Sequence, residues 1–190
     1  LYASGRIKGS RFIKREGRPT DDATLIGRLI DRSIRPLFDN RMRNEIQVVL
    51  TVLSFDHENS PDTVGLIAAS AALHLSKIPW AGPLASARVG HIDGKLILNP
   101  TYENNAKSEL DLFVAGTEEK VLMIEAGASE VTEDVVFEGI TFAQKEMSPV
   151  IELLEKMRKE IGDKKMELAL EADPKIEELI ARVAKEFVNS

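Results

Sequence analysis

Apolar positions along this chain switch repeatedly between a helical and a strand-like period, and the switches predict an alternation of helices and strands. Thr20 or Asp21 can cap a helix running from about Ala23 to Arg35, which Pro36 stops. Leu25, Ile26, Leu29, Ile30 and Ile34 occupy most of its circumference and are expected to be buried. Glu45 to Phe55 (EIQVVLTVLSF) is rich in β-branched residues and reads as a buried strand. Pro61 opens a helix to about Ser76, whose Ala, Ser and Gly content permits close packing on a sheet. Ser86 to Ile92 and Lys95 to Leu98 form a hairpin across Asp93-Gly94. Leu110 to Ala115 and Lys120 to Glu125 read as two more strands, joined by Gly116-Thr117-Glu118. A long helix follows from about Thr132 to Ile161, with Pro149 expected to kink or divide it and Gly162 to cap it. Asp163 to Asp173 reads as a charged linker, and Pro174 to Val188 as a last amphipathic helix whose apolar stripe needs a partner.

Composition narrows the class. At 190 residues, 43% hydrophobic and 29% charged, the chain has material for one domain with a core and an appendage. It contains no Cys, hence no disulfide and no thiolate metal site. No apolar run approaches a membrane span and no signal-like segment leads the chain, so the expected location is cytoplasmic, with no membrane partner.

Charge changes the picture more. Residues 1–44 carry eleven Lys/Arg against five Asp/Glu, a net of +6, whereas the remainder carries fourteen against twenty-six, a net of −12; the two make up the overall −6. An acidic protein that concentrates positive charge in one segment points that segment at a polyanion. On the first helix Arg28, Arg32 and Arg35 are spaced i, i+4, i+7 and share one narrow face. Three guanidiniums on one ridge repel one another unless an anion, or acids such as Asp31, lie nearby, and their forks suit phosphate oxygens. The competing reading is a solvated helix whose arginines pair with acids of the same protein. Ahead of the helix, Gly9 and Gly17 flank Arg11, Phe12, Ile13, Lys14, Arg15 and Arg18. An aromatic side chain among cations on such a loop can stack a base while its neighbours hold phosphates. Loop and helix together suit single-stranded nucleic acid.

Gly5 to Phe38, GRIKGSRFIKREGRPTDDATLIGRLIDRSIRPLF, resembles the first ribonuclease PH-like core of the polynucleotide phosphorylase family. The resemblance continues through Ala68-Ala69-Ser70-Ala71-Ala72-Leu73, Ile78-Pro79-Trp80-Ala81-Gly82-Pro83, Leu98-Asn99-Pro100-Thr101 and Leu110-Asp111-Leu112-Phe113-Val114-Ala115-Gly116-Thr117, covering about residues 3–160. It implies an α+β fold of the ribonuclease PH type over residues 1–162, truncated at its N-terminus, with residues 163–190 as linker and start of an all-α domain. It implies a parent enzyme, a polyribonucleotide nucleotidyltransferase, that uses phosphate and Mg²⁺ to degrade mRNA from the 3′ end and release nucleoside diphosphates. The family's subunits contain two such cores and assemble as a homotrimer around an RNA channel. The chain is thus expected to be a fragment, partnered by single-stranded RNA and by the second core of the same polypeptide.

Within that family the catalytic core has a serine-rich phosphate-binding turn, and two aspartates with a lysine near a later strand. The corresponding turn here is Asn59-Ser60-Pro61-Asp62-Thr63, where Asp62 would repel phosphate, though at a helix start it suits the dipole. Asp111 keeps one acidic place, Asn105 stands near the other, and Phe113 replaces the lysine. A lone Asp on a strand holds Mg²⁺ poorly. The resemblance therefore implies a non-catalytic core, with no catalytic residue, no metal site and no bound cofactor of its own, whose RNA-binding residues are Phe12, Lys14, Arg15, Arg28, Arg32 and Arg35. Two alternatives stand beside it: a stand-alone ribonuclease PH-type phosphorolytic enzyme, and an architectural ring subunit without RNA contacts.

The other reactive residue types carry less. His57, His74 and His91 show no metal-ligand spacing, and His74 falls among apolar helix residues as a core or interface position. Ser10, Ser60 and Ser70 have no base at a readable spacing. Glu133, Asp134, Glu152 and Glu155 read as helix surface, and Trp80 as the packing of a turn.

Overall fold

The computed structural model of the chain describes residues 19–167 together with residues 179, 180 and 182. The first helix, α1, is Asp21–Ile34; Thr20 caps it by accepting from the Ala23 amide at 3.2 Å, and Asp21 and Asp22 sit in its first turn. Pro36 stands inside a short 3₁₀ turn, Arg35–Leu37, that ends the helix. Helix α2 is Pro61–Leu75. Strands β1 (Ala85–Ile92) and β2 (Lys95–Leu98) form the expected hairpin, with Asp93 and Gly94 both at positive φ, as a two-residue primed turn requires. A single turn, α3 (Tyr102–Asn105), leads to β3 (Leu110–Gly116) and β4 (Val121–Ala128), and helix α4 runs from Glu133 to Ile161.

The four strands form one antiparallel sheet in the order β2-β1-β3-β4. Both of its faces are covered, and strict alternation sorts the side chains. Ala85, Ala87 and Val89 of β1, with Leu110, Leu112 and Val114 of β3, meet Ala143, Met147 and Ile151 of α4. On the opposite face Leu84, Phe113, Ala115 and Met123 pack with Leu29, Ile30 and Ile34 of α1 and Leu66, Ala69 and Leu73 of α2. Trp80 does pack a turn: its indole N–H donates to the Ile34 carbonyl at 3.0 Å and its ring lies 6.3 Å from that of Phe38.

Three expectations need correction. Residues 45–55 form no strand. Ile46 and Val48 pack against the α1/α2 core, but Val49, Val52 and Leu53 are exposed, and a groove of about 1020 Å³ separates the segment from α1. The segment has the alternation of a strand but no described strand runs beside it, and a strand exists only through its ladder. Leu25 is 60% exposed, because it lies three residues before Arg28 and seven before Arg32 and so shares their ridge. Pro149 does not divide α4, which is one helix of 29 residues. The helix expected over 174–188 lies almost wholly outside the described residues.

Candidate functional site

Two clusters of opposite character flank α2. On α1, Arg28, Arg32 and Arg35 are all exposed, on the ridge their spacing predicts. Arg32 Nη2 meets Glu125 Oε2 of β4 at 2.6 Å, with side chains 60% and 55% exposed, and Arg35 pairs with Asp31 one turn earlier. Arg28 makes no hydrogen bond or ion pair among the described residues. Acids of the same protein therefore serve two of the three arginines, in pairs open to water. Phe12, Lys14 and Arg15 lie outside the described residues.

The second cluster lies under α2, with Asp62 buried, Arg88 half-buried and Asp111 open on one side. Asp62, the second residue of that helix, is 1% exposed; its Oδ1 accepts from the Thr63 amide at 2.7 Å and its Oδ2 from Arg88 Nη2. Arg88 Nη1 donates to Asp111 Oδ1, and Asn105 Nδ2 donates to Asp111 Oδ2 at 3.0 Å. The register explains the meeting. Arg88 pairs across the ladder with Phe113, two residues along β3 from Asp111, so all three share the face turned toward α2. The Arg88 guanidinium lies 5.7 Å from the centre of the Phe113 ring. Burial alone would lower the Arg88 pKa, but the hydrogen bonds and charges of Asp62 and Asp111 outweigh it and hold the group above its ordinary value.

Sequence reasoning placed Asp62, Asn105, Asp111 and Phe113 in one neighbourhood, and the structure brings them together. Asp62 stands at the helix start, where its charge suits the dipole, and it also pairs with a guanidinium that sequence reasoning did not supply. Sequence reasoning missed Arg88 altogether. The one signal for it was its place in ASARVGHI, on the same face of the strand as Ser86 and Gly90 and opposite the small residues buried under α4. As a metal site the donor set does not fit. Both oxygens of each carboxylate are engaged by Arg88, Asn105 or the Thr63 amide, whereas Mg²⁺ requires several oxygens aimed at one point. Among the described residues no group of three or more His, Asp or Glu side chains could hold a metal ion.

Two of the histidines lie beside acids. His91 Nδ1 lies 3.2 Å from Glu109, and His74 is buried on α2 with Glu155 of α4 3.4 Å from its Nε2, so Glu155 is more than helix surface. Among the described residues no helix is long and apolar enough to cross a membrane.

A fold of this kind, a four-stranded antiparallel sheet between α4 and the pair α1/α2, recurs among solved structures: the crystal structure of rice (Oryza sativa) Rrp46 superposes with a TM-score of 0.53 at 13% identity, over 76% of this chain and 67% of that one. The sequence is more specific. Residues 1–79 match the 3′ exoribonuclease family, domain 1, and residues 82–146 match domain 2 of the same family, so the chain belongs to that family. Curated relatives called polyribonucleotide nucleotidyltransferase are similar at high identity. The one from Thermus thermophilus is 53% identical over 165 residues, 87% of this chain and 23% of its own length. That from Deinococcus radiodurans is 52% identical over 91% of this chain and 22% of its length, and that from Alkaliphilus oremlandii 48% over 97% and 26%. The chain thus spans about a quarter of the relatives it matches.

Proposed function

We propose that this chain is the non-catalytic, RNA-guiding core of a phosphate-dependent 3′-to-5′ exoribonuclease that releases nucleoside diphosphates in mRNA degradation. The observation that carries the reading is the Asp62–Arg88–Asp111 cluster. The residues that would have to hold metal and phosphate in a working core are spent on one another, and Phe113 lies against them. Phosphorolysis, with its Mg²⁺ and inorganic phosphate, then belongs to a second core of the same polypeptide, and a homotrimer of such subunits encloses the RNA. In this assembly Arg28, Arg32 and Arg35 of the α1 ridge, together with Phe12, Lys14 and Arg15, hold single-stranded RNA on its way to that second core. Residues 1–162 are the core and residues 163–190 the start of a helical domain. Contacts to phosphate carry no sequence information, so this face holds RNA of any sequence alike.

A second reading has one observation in its favour. Arg32 and Arg35 already have acidic partners, as they would in an architectural subunit without RNA contacts.

The test is release of nucleoside diphosphate from a single-stranded RNA by the purified chain, with phosphate and Mg²⁺ supplied. No release is expected, together with measurable RNA binding. Release that Asp111→Asn abolishes would overturn the assignment and make this core a catalyst in its own right.

A further inference from the structure

The C-terminal end of α2 is closed from a distance. A helix leaves its last carbonyls without intrahelical partners. Here five successive carbonyls, residues 73 to 77, accept hydrogen bonds from donors between residues 158 and 166. Lys165 Nζ donates to Leu73 O at 2.7 Å and to Ser76 O at 2.9 Å. Arg158 Nη1 donates to His74 O at 2.6 Å. The amides of Asp163 and Met166 donate to Leu75 O and Lys77 O, both at 2.8 Å. Two cations thus stand at the negative end of the α2 dipole, where their charge is favourable. Gly162 makes the turn possible: its amide bonds back to the Arg158 carbonyl at 2.9 Å, and a Cβ there would come within 2.5 Å of that same oxygen.

Apolar burial does not hold this segment. The side chains of Asp163, Lys164, Met166 and Glu167 are exposed, and Lys165 alone turns inward. A free linker needs no backbone bonds to a segment more than eighty residues away, yet this one makes two, one to the last residue of α2 and one just past its cap. We propose that residues 158–166 are a strap that seals the end of α2 and fixes the course of the chain as it leaves α4, with Lys165 as its anchor. The inference rests on this core alone and stands or falls independently of the catalytic assignment above.

The charged groups around the strap decide its response to pH. His74 of α2, Glu155 and Arg158 of α4 and Lys165 of the strap face one another there. Burial, with Arg158 close by, lowers the Lys165 pKa from 10.5 to about 8. The unfolded chain therefore binds the proton more tightly than the folded one between those values, and raising the pH from 7 to 9 favours the folded strap. The neutral amine keeps two N–H donors, enough for both carbonyls.

Amide hydrogen exchange on the full chain tests the strap. In the wild type the Asp163 and Met166 amides should be protected while that of Lys164 exchanges freely, and the protection should be greater at pH 9 than at pH 7 once intrinsic rates are allowed for. Lys165→Met should raise exchange at Asp163 and Met166 roughly tenfold or more, the scale of a lost hydrogen bond to a charged donor, without changing β1 or β3. Lys165→Arg, which keeps the donors, should restore much of the protection. Free exchange at 163 and 166 in the wild type would overturn the strap, a result that needs no variant to fold. Unchanged protection in Lys165→Met would overturn its anchor.

Discussion

Guanidinium and carboxylate meet in two settings beside α2, in water on the α1 ridge and enclosed under the helix. On the ridge, Arg32 and Glu125 keep more than half their side-chain surface exposed. Such a pair contributes about 0–1 kcal/mol, and a phosphate can take the place of the acid with little loss. Under the helix, Asp62 is buried and Arg88 half-buried, and their further hydrogen bonds go to Thr63 and to Asp111, which Asn105 holds in turn. No anion from solution can replace a carboxylate that the fold itself has enclosed. The same two residue types are therefore exchangeable in one place and permanent in the other, and burial rather than residue identity makes the difference.

The largest effect should come from breaking the buried member of the comparison. Arg88→Met leaves Asp62 enclosed without its counter-charge, and removing one partner of a buried ion pair costs about 3–5 kcal/mol. Urea unfolding should show a loss of that size, while RNA binding by the folded fraction stays unchanged. Adding Asp62→Asn to the same chain removes the orphaned charge and should recover part of the loss, so the two substitutions should be non-additive. An unfolding midpoint that Arg88→Met leaves in place would mean that water already reaches the cluster.

Breaking the exposed member should do the reverse. Replacing Arg28, Arg32 and Arg35 together by Ala should change stability by no more than about 1 kcal/mol, since only surface pairs are lost. RNA binding, followed by fluorescence anisotropy at several salt concentrations, should weaken to a similar degree for every sequence. If each arginine meets one phosphate, the slope of log K against log salt should fall by about 2. An unchanged slope would assign the ridge to subunit contacts instead.

How much of this could be read from the sequence depends on the range of the interaction. The α1 ridge is local: a cap at Thr20, a stop at Pro36 and spacings of four and three residues fix it, and the structure reproduces it. The Asp93-Gly94 hairpin is local in the same sense. The buried cluster is not. Asp62, Arg88 and Asp111 are joined only by the register of β1 on β3 and by the way α2 crosses the sheet, and no periodicity encodes either. The acid that faces Arg32 was equally illegible, because Glu125 lies 93 residues away on β4. Residues 45–55 erred in the opposite direction. Their β-branched alternation is a local signal, but a strand depends on a neighbour that local signals do not supply. The family motifs reached further than the physics of any one segment, placing Asp62, Asn105, Asp111 and Phe113 together before a register was known, though without the arginine that joins them.

The smallest effect, and the sharpest test of the contrast, is Glu125→Gln. The substitution removes the acid facing Arg32, takes the net charge from −6 to −5 and leaves the shape of β4 unchanged. Because the pair is exposed, the fold should lose less than about 0.5 kcal/mol. RNA should bind more tightly, by a factor of about 2 at low salt, since phosphate no longer competes with a carboxylate for the guanidinium. Stability and affinity should thus move in opposite directions, and the gain in affinity should fade as salt rises. Weaker RNA binding in this variant would mean that Glu125 holds Arg32 in the orientation RNA requires. The exposed pair would then be no more exchangeable than the buried one, and the contrast drawn from burial would fail at that residue.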